Sequence, residues 1–157
     1  MGRTETDLVD GRVLGPGEGR VVPGGLLETV VKVESAETGG AFAFVEYGLA
    51  TSWDGPEPHI HNSGSETFYV LEGVMRFSVG ELTITATPGT CIHVPAGAAH
   101  TFSNPGPGRA RFAQILCPGS LLAMIEDLVA LLQAGNTGGP EWDTVFRRHD
   151  SQVVAMP

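Results

Sequence analysis

Three histidines and one glutamate are the residues of this chain whose types and spacing could do chemistry. His59 and His61 are separated by one residue, and Glu66 follows His61 after four more. His100 follows a Pro-Ala-Gly turn that ends at Gly97. Imidazole nitrogens and a carboxylate oxygen form a mixed ligand set for a divalent first-row transition metal. We therefore expect one bound metal ion (Fe, Mn, Ni, Cu or Zn), and the ligand types do not choose among these.

Strands and turns are needed to bring these side chains together. Alternate residues of a strand point to the same face, so His59 and His61 can both point into one interior. The turn formers at 62–65 can reverse the chain, so that Glu66 begins the next antiparallel strand. His100 would begin a later strand after its own turn. The four side chains could therefore converge inside one small barrel.

The two runs resemble the two signature motifs of the cupin superfamily. The first motif, G-x5-H-x-H-x3,4-E-x6-G, is matched from His59 to Gly73. The second motif, G-x5-P-x-G-x2-H-x3-N, is matched from Gly89 to Asn104 without a gap. The opening glycine of the first motif is replaced here by Trp53. That glycine serves the backbone, so the replacement concerns the shape of the loop, and Trp53 could line or cover the mouth of the pocket.

The resemblance covers about residues 12–150 and is to small single-domain bacterial cupins described as quercetin-dioxygenase-like or polyketide-cyclase-like. It implies that the metal ligands are His59, His61, Glu66 and His100. It also implies a homodimer, because small cupins pair or exchange edge strands that would otherwise invite unwanted pairing.

The whole sequence predicts an all-β fold, and the resemblance makes it a cupin double-stranded β-helix, or jelly-roll barrel, with a C-terminal helical segment. The chain has 157 residues, with 22 Gly and 11 Pro scattered along it, which suits one domain of short strands joined by tight turns. We expect an N-terminal arm at 1–25, the barrel at 26–117 and C-terminal helices at 118–157. Apolar residues at helical spacing over 121–132 predict a helix, capped by Ser120, that packs on the outside of the barrel.

Apolar and aromatic side chains near the motifs are the candidate walls of a substrate pocket. Phe68 shares a strand face with Glu66, and Phe102 shares one with His100. For the other strands, the sequence does not determine which face lines the pocket, because a shift of one residue in strand pairing moves every side chain to the opposite face. The candidates are Phe44, Trp53, Phe68, Met75, Phe77, Phe102, Phe112 and Gln114. Such an apolar cavity suits a flat, poorly charged organic substrate.

Charge and composition argue against several partners. The net charge of −9 at pH 7 disfavours nucleic acid, which requires a basic face, and anionic membranes. The chain shows no apolar run of the roughly 20 residues that span a membrane, and its first residues are polar. Cys91 and Cys117 form no disulfide framework and are expected to be buried, small hydrophobic side chains. The sequence thus predicts a cytoplasmic protein with a small-molecule substrate.

Three functions fit these observations. The first is a metal-dependent dioxygenase of an aromatic or polyphenolic compound, with Glu66 as general base at a substrate hydroxyl; the reaction type rests on the resemblance. The second is a non-redox cyclase or isomerase of a polyketide-like substrate, with the metal as Lewis acid. The third is a metal-binding cupin without catalysis. Oxygen uptake during turnover distinguishes the first function from the second.

Overall fold

A computed structural model describes residues 11–157 and places them in two antiparallel sheets and two α-helices. The strands are β1 (Arg20–Val22), β2 (Leu27–Val33), β3 (Ala43–Leu49), β4 (His59–His61), β5 (Ser65–Glu72), β6 (Met75–Val79), β7 (Leu82–Ala86), β8 (Cys91–Val94), β9 (His100–Ser103), β10 (Ala110–Cys117) and β11 (Ser151–Val153). The helices are α1 (Leu121–Gln133) and α2 (Pro140–Arg148), and a short 3-10 turn spans Ser35–Thr38.

The strands form two sheets that face each other. One sheet has six strands in the order β1-β2-β3-β10-β5-β8, and the other has five in the order β11-β4-β9-β6-β7. This confirms the predicted all-β jelly roll with a C-terminal helical segment. The predicted barrel does not close, because within residues 11–157 no ladder of backbone hydrogen bonds joins one sheet to the other.

Alternation along the strands places the core between the two sheets. In β5 the side chains of Glu66, Phe68 and Val70 are buried, whereas Tyr69 between them is exposed. In β6 the buried side chains are Met75 and Phe77. This period of two is what a sheet with one covered face requires.

The same alternation corrects the prediction for the cysteines. In β8 the side chains of Ile92 and Val94 are buried, so Cys91 and His93 point outward and are exposed. Cys117, at the end of β10, is half-buried. A residue in a strand is buried only when it lies on the covered face of the sheet. A shift of one residue in the pairing of β8 would have placed Cys91 and His93 on that face, and the sequence did not indicate which register forms.

Helix α1 matches the predicted range of 121–132 closely, but the predicted cap at its start is absent. Gly135 has a φ of 81°, the left-handed conformation typical of a helix stop, and the Asn136 N–H donates to Leu131 O at 2.9 Å. Ser120 makes no side-chain capping bond, because its own backbone is already helical with φ −61° and ψ −18°. Neither helix in the described part of the chain is long and apolar enough to cross a membrane.

The two helices share the core with the sheets. Buried α1 side chains include Met124, Leu128 and Val129, and those of α2 include Trp142 and Phe146. All of them belong to one hydrophobic cluster with residues of both sheets. The helices are therefore packed into the fold and are not an appendage.

Candidate metal centre

The four predicted ligands come from both sheets and meet between them. Strand β4 carries His59 and His61, and its neighbour β9 places His100 directly opposite His59. Glu66 is on β5 in the other sheet. One ligand atom from each of the four buried side chains lies within 4.8 Å of those of the other three.

Hydrogen bonds at the outer ring nitrogens set the tautomers of two histidines. His59 Nδ1 is 2.7 Å from Glu57 O, and His100 Nδ1 is 3.0 Å from Ala98 O. A carbonyl oxygen only accepts, so in both rings Nδ1 carries the hydrogen and donates it. This leaves each Nε2 on the side that faces the shared centre, as metal-binding imidazoles require.

His61 reaches the same state through a side chain. Its Nδ1 is 2.7 Å from Ser151 Oγ, and the Ser151 hydroxyl donates to His149 O at 3.0 Å. The serine oxygen therefore accepts from His61 Nδ1–H. The buried Nε2 of His61 then has no hydrogen-bond partner, although it lies 3.3 Å from Glu66 Oε1. Two acceptors that face each other at this distance are unfavourable unless a cation lies between them.

The charge states of the cluster are set by burial and by mutual contact. Burial, together with the neighbouring His100 and His61, lowers the pKa of His59 to about 3. Burial alone would raise the pKa of Glu66, but the hydrogen bond with His100 and the interactions with the nearby His61 outweigh it and lower that pKa. Burial likewise opposes protonation of His100, yet its hydrogen bond to Glu66 raises its pKa.

A divalent transition metal fits these residues. The cluster offers the Glu66 carboxylate, a neutral His59 and a His61 Nε2 that has no hydrogen-bond partner. The fourth side chain, His100, forms a 3.0 Å hydrogen bond through Nε2 with Glu66 Oε2, and the proton of this bond occupies a position where the metal would bind. Metal binding would release that proton, because a ligating imidazole must be neutral.

We expect the metal-free protein to lose stability as the pH falls below about 6.5. The unfolded chain gains a proton at His59 near its ordinary pKa of 6.5, whereas the folded protein gains it only near 3, so the unfolded state binds more protons in between. Glu66, whose folded pKa is also lowered, adds to this loss below about pH 4.5. His100 has the opposite sign: its raised pKa stabilises the fold at low pH, and this contribution is lost as the pH rises through its folded pKa.

Urea unfolding of chelator-treated protein between pH 7 and pH 4 measures this dependence. His59 can contribute at most about 1.4 kcal/mol per pH unit. A His59→Gln variant should have a flatter profile above pH 4.5. An equally steep profile in that variant would show that His59 is not the cause.

A largely apolar cavity of about 40 Å³ adjoins the cluster. Two ligands, His59 and Glu66, form part of its wall. The remaining lining residues are Leu27, Tyr47, Trp53, Pro56, Phe102, Phe112, Gln114, Met124, Ile125, Leu128, Val129, Leu132 and Trp142. The metal cluster therefore lies at the edge of a small, largely apolar space, and apolar surroundings control solvent access to a metal.

The structure divides the candidate pocket residues into two groups. Those that line the cavity are Trp53, Phe102, Phe112 and Gln114. Those that do not are Phe44, Phe68, Met75 and Phe77. Phe44 is on the outer face of β3, between the buried Ala43 and Val45.

The other three residues outside the cavity wall face inward but are core residues. Phe68 and Met75 are fully buried, and Phe77 is 1% exposed. The ring of Phe102 packs against both Phe68, at 5.3 Å between ring centroids, and Phe77, at 5.7 Å. The position of a residue in a strand indicates on which face of the sheet its side chain lies. It does not indicate which side chains of that face border the cavity and which are packed in the core.

The C-terminal segment contributes to the site in ways that sequence reasoning missed. Helix α1 supplies five of the lining residues, so it covers the cavity and does not merely pack on the outside of the sheets. The Phe146 ring of α2 stacks on His59 with 4.5 Å between centroids. Ser151 of β11 holds His61. The apolar period of α1 was visible in the sequence, but nothing there indicated which surface the helix covers.

Motif residues that are not ligands hold the loops around the site. Gly73 has a φ of 76°, and a Cβ there would lie 2.2 Å from Arg109 O, so a side chain is excluded. The Asn104 side chain donates to Thr51 O at 2.9 Å and to Gly108 O at 3.0 Å. Trp53, which replaces the expected glycine, pairs with Asn104 through backbone hydrogen bonds in both directions.

Sequence comparison identifies relatives of part of the chain. The cupin domain family matches residues 45–117. Quercetin 2,3-dioxygenase of Bacillus subtilis is 36% identical over 106 residues, which cover 62% of this chain and 29% of that protein. The chain thus spans less than a third of the length of this relative.

Solved structures share the fold at low sequence identity. The structure of KdgF from Halomonas sp. has a TM-score of 0.57 and 15% identity, with 69% of this chain and 94% of that chain covered. The polyketide cyclase RemF from Streptomyces resistomycificus has a TM-score of 0.55 and 21% identity, with 69% and 80% covered. At these identities the likeness establishes the fold alone.

Proposed function

We propose that this chain, whose residues 45–117 match the cupin domain family, is a metal-dependent enzyme, a dioxygenase acting on an aromatic or polyphenolic small molecule. The observation that carries the proposal is the convergence of buried His59, His61, Glu66 and His100 beside an apolar cavity. The match to a quercetin dioxygenase over 106 residues supports the reaction type.

The four side chains would hold one divalent ion of Fe, Mn, Ni, Cu or Zn. Such an ion would polarise a substrate oxygen and, if it is redox-active, support reaction with O2. Glu66 is ionised at neutral pH, because its pKa is lowered by His100 and His61. Its carboxylate adjoins the cavity and can therefore accept the proton of a substrate hydroxyl.

Gln114 is the group that would orient the rest of the substrate. The Tyr47 hydroxyl donates to Gln114 Oε1 at 2.7 Å, and burial, together with the nearby Glu66, raises the Tyr47 pKa and keeps that hydroxyl protonated. The amide nitrogen of Gln114 is then available as a donor on the cavity wall. A substrate with a second oxygen acceptor and otherwise apolar surface suits this arrangement.

The size of the cavity implies that its cover moves. A volume of about 40 Å³ holds only a few water molecules, which is less than one aromatic ring requires. Side chains of α1, such as Leu128 and Met124, form the cover. Entry of an aromatic substrate therefore requires these side chains, or α1 itself, to shift.

The alternative is a non-redox cyclase or isomerase of an enolisable, polyketide-like substrate. The observation that favours it is the pairing of an ionised base, Glu66, with a neutral donor, Gln114, on the wall of one cavity. A base removes a proton next to a carbonyl, and a donor stabilises the developing oxygen anion without any need for O2.

The test combines metal analysis with oxygen uptake. Untagged protein is analysed for bound metal and then screened against flavonols and other polyphenols in an oxygen electrode and under nitrogen. We expect near-stoichiometric metal and turnover that consumes O2. Turnover at full rate under nitrogen would contradict the dioxygenase and favour the cyclase or isomerase. Loaded protein that turns over no substrate of either class would favour a metal-binding cupin without catalysis.

A further inference from the structure

Among residues 11–157, Ser151 is the one side chain from outside the cupin motifs that forms a hydrogen bond with the side chain of a candidate ligand. It is 3% exposed, pairs with His61 across the β11–β4 ladder and lies 2.7 Å from His61 Nδ1. Its hydroxyl hydrogen is committed to His149 O at 3.0 Å. A serine oxygen that already donates can only accept from the ring, so this contact has a defined direction.

The neighbourhood of Ser151 fixes its position on both sides. The backbone N–H of Asn62 donates to Asp150 O at 2.9 Å, and Val154 N–H donates to Pro58 O at 2.9 Å. The Asp150 carboxylate accepts from Asn62 Nδ2 at 3.1 Å and from the Ser63 hydroxyl at 2.5 Å. The C-terminal strand is thus tied to the chain before and after the two histidines of β4.

His61 differs from the other two imidazoles in this respect. His59 and His100 each donate to a backbone carbonyl two residues earlier in the chain, at Glu57 and Ala98. Those acceptors are present whatever the side chain at the position. The acceptor for His61 is a side chain from the far end of the sequence, so the state of this ring depends on the residue at 151.

We propose that Ser151 is a positioning residue for metal binding, which sets the tautomer and ring orientation of His61 so that the Nε2 lone pair faces the other ligands. This role rests on the proposed metal site. The residue lies outside the part of the chain, 45–117, that matches the cupin domain. Groups that hold the outer nitrogen of a ligating imidazole typically change metal affinity 10–100-fold when removed.

Loss of the hydroxyl would favour the competing tautomer. Without Ser151 Oγ, the buried Nδ1–H of His61 has no acceptor, which costs free energy. If the hydrogen moves to Nε2, it can donate to Glu66 Oε1, which is already 3.3 Å away. A metal would then have to displace that hydrogen bond before it could bind His61.

The first measurement compares the full-length wild type, Ser151→Ala and Ser151→Thr after chelator treatment. Zn²⁺ alone is the probe, and its affinity is measured by competition with a chromophoric chelator. We expect the alanine variant to bind Zn²⁺ about 10–100-fold more weakly and the threonine variant, which keeps a hydroxyl, to recover most of the loss. Ser78→Ala is the matched control, because it removes a serine hydroxyl that forms a hydrogen bond with Thr83 on the neighbouring strand, and it should leave the affinity unchanged.

The second measurement reads the tautomer directly in the metal-free protein. Nitrogen-15 chemical shifts of the His61 ring should show hydrogen on Nδ1 in the wild type and a shift toward Nε2 in Ser151→Ala. This separates the two proposals: a wild type that binds no Zn²⁺ but has the expected tautomers would overturn the metal site and leave the role of Ser151 in setting the ring intact. If Ser151→Ala leaves both the Zn²⁺ affinity and the His61 tautomer unchanged, the inference is overturned. This outcome does not depend on whether Ser151→Thr folds.

Discussion

Replacing His61 with alanine is expected to weaken binding of a divalent transition metal by at least about 100-fold. Structural metal sites with four ligands bind with roughly 10–16 kcal/mol, which corresponds to about 3 kcal/mol per ligand. Among the four candidate ligands, His61 supplies the one buried ligand atom that has no hydrogen-bond partner. Removing His61 Nε2 therefore breaks no hydrogen bond within the protein. Glu66 and the remaining imidazoles would face an incomplete site. Competition titration with Zn²⁺ or Mn²⁺ measures the loss.

His93→Ala is the matched control for this experiment. His93 is exposed on the outer side of β8 and contacts Thr67 Oγ1 at 2.9 Å. Its removal should leave metal affinity within about twofold, since surface substitutions away from a site rarely matter. Equal metal affinity in the His61 and His93 variants, with both proteins folded, would show that the four side chains are not a metal site.

Replacing Phe68 with alanine is expected to destabilise the fold by about 3–5 kcal/mol. The side chain is fully buried, and its ring packs against those of Phe77, Phe102 and Phe112, with centroid distances of 5.1, 5.3 and 6.2 Å. Truncation removes these contacts and leaves a void that a two-sheet core cannot close. Urea unfolding of the wild type and the variant at neutral pH measures the change in free energy.

The control is the next residue along the same strand. Tyr69→Ala removes a side chain of similar size, but Tyr69 points outward and is 47% exposed. We expect a loss of about 1 kcal/mol or less there. If Phe68→Ala were as mild as Tyr69→Ala and instead altered substrate binding, Phe68 would belong to the pocket wall, as the sequence suggested, and not to the core.

The sequence by itself determined the elements of the site. Ligand types, the one-residue gap between His59 and His61, and the turn before Glu66 are local properties, and the structure brings these side chains and His100 together. Strand parity placed Phe68 on the same face as Glu66, which is where it lies. These inferences succeed because a strand alternates with a period of two whatever it packs against.

The depth of the cavity was decided only by tertiary packing. Phe68 and Phe102 were equivalent candidates in the sequence, each two positions from a ligand, yet only Phe102 lines the cavity. Whether Cys91 would be buried or exposed was likewise undetermined, since the sequence of β8 did not indicate which of its faces would be covered, and in the structure Cys91 is exposed. Parity is a property of one strand, whereas depth and cover depend on the elements that pack across it.

The role of the C-terminal segment was also decided by tertiary structure. The apolar period of α1 predicted a helix but not that Met124 and Leu128 would cover a cavity beside Glu66. Ser151 lies in a three-residue strand that has no pattern of its own and is placed by pairing with β4. It meets His61 from 90 positions away in the sequence. Contacts at such separation depend on how distant segments dock, so local residue patterns could not predict them.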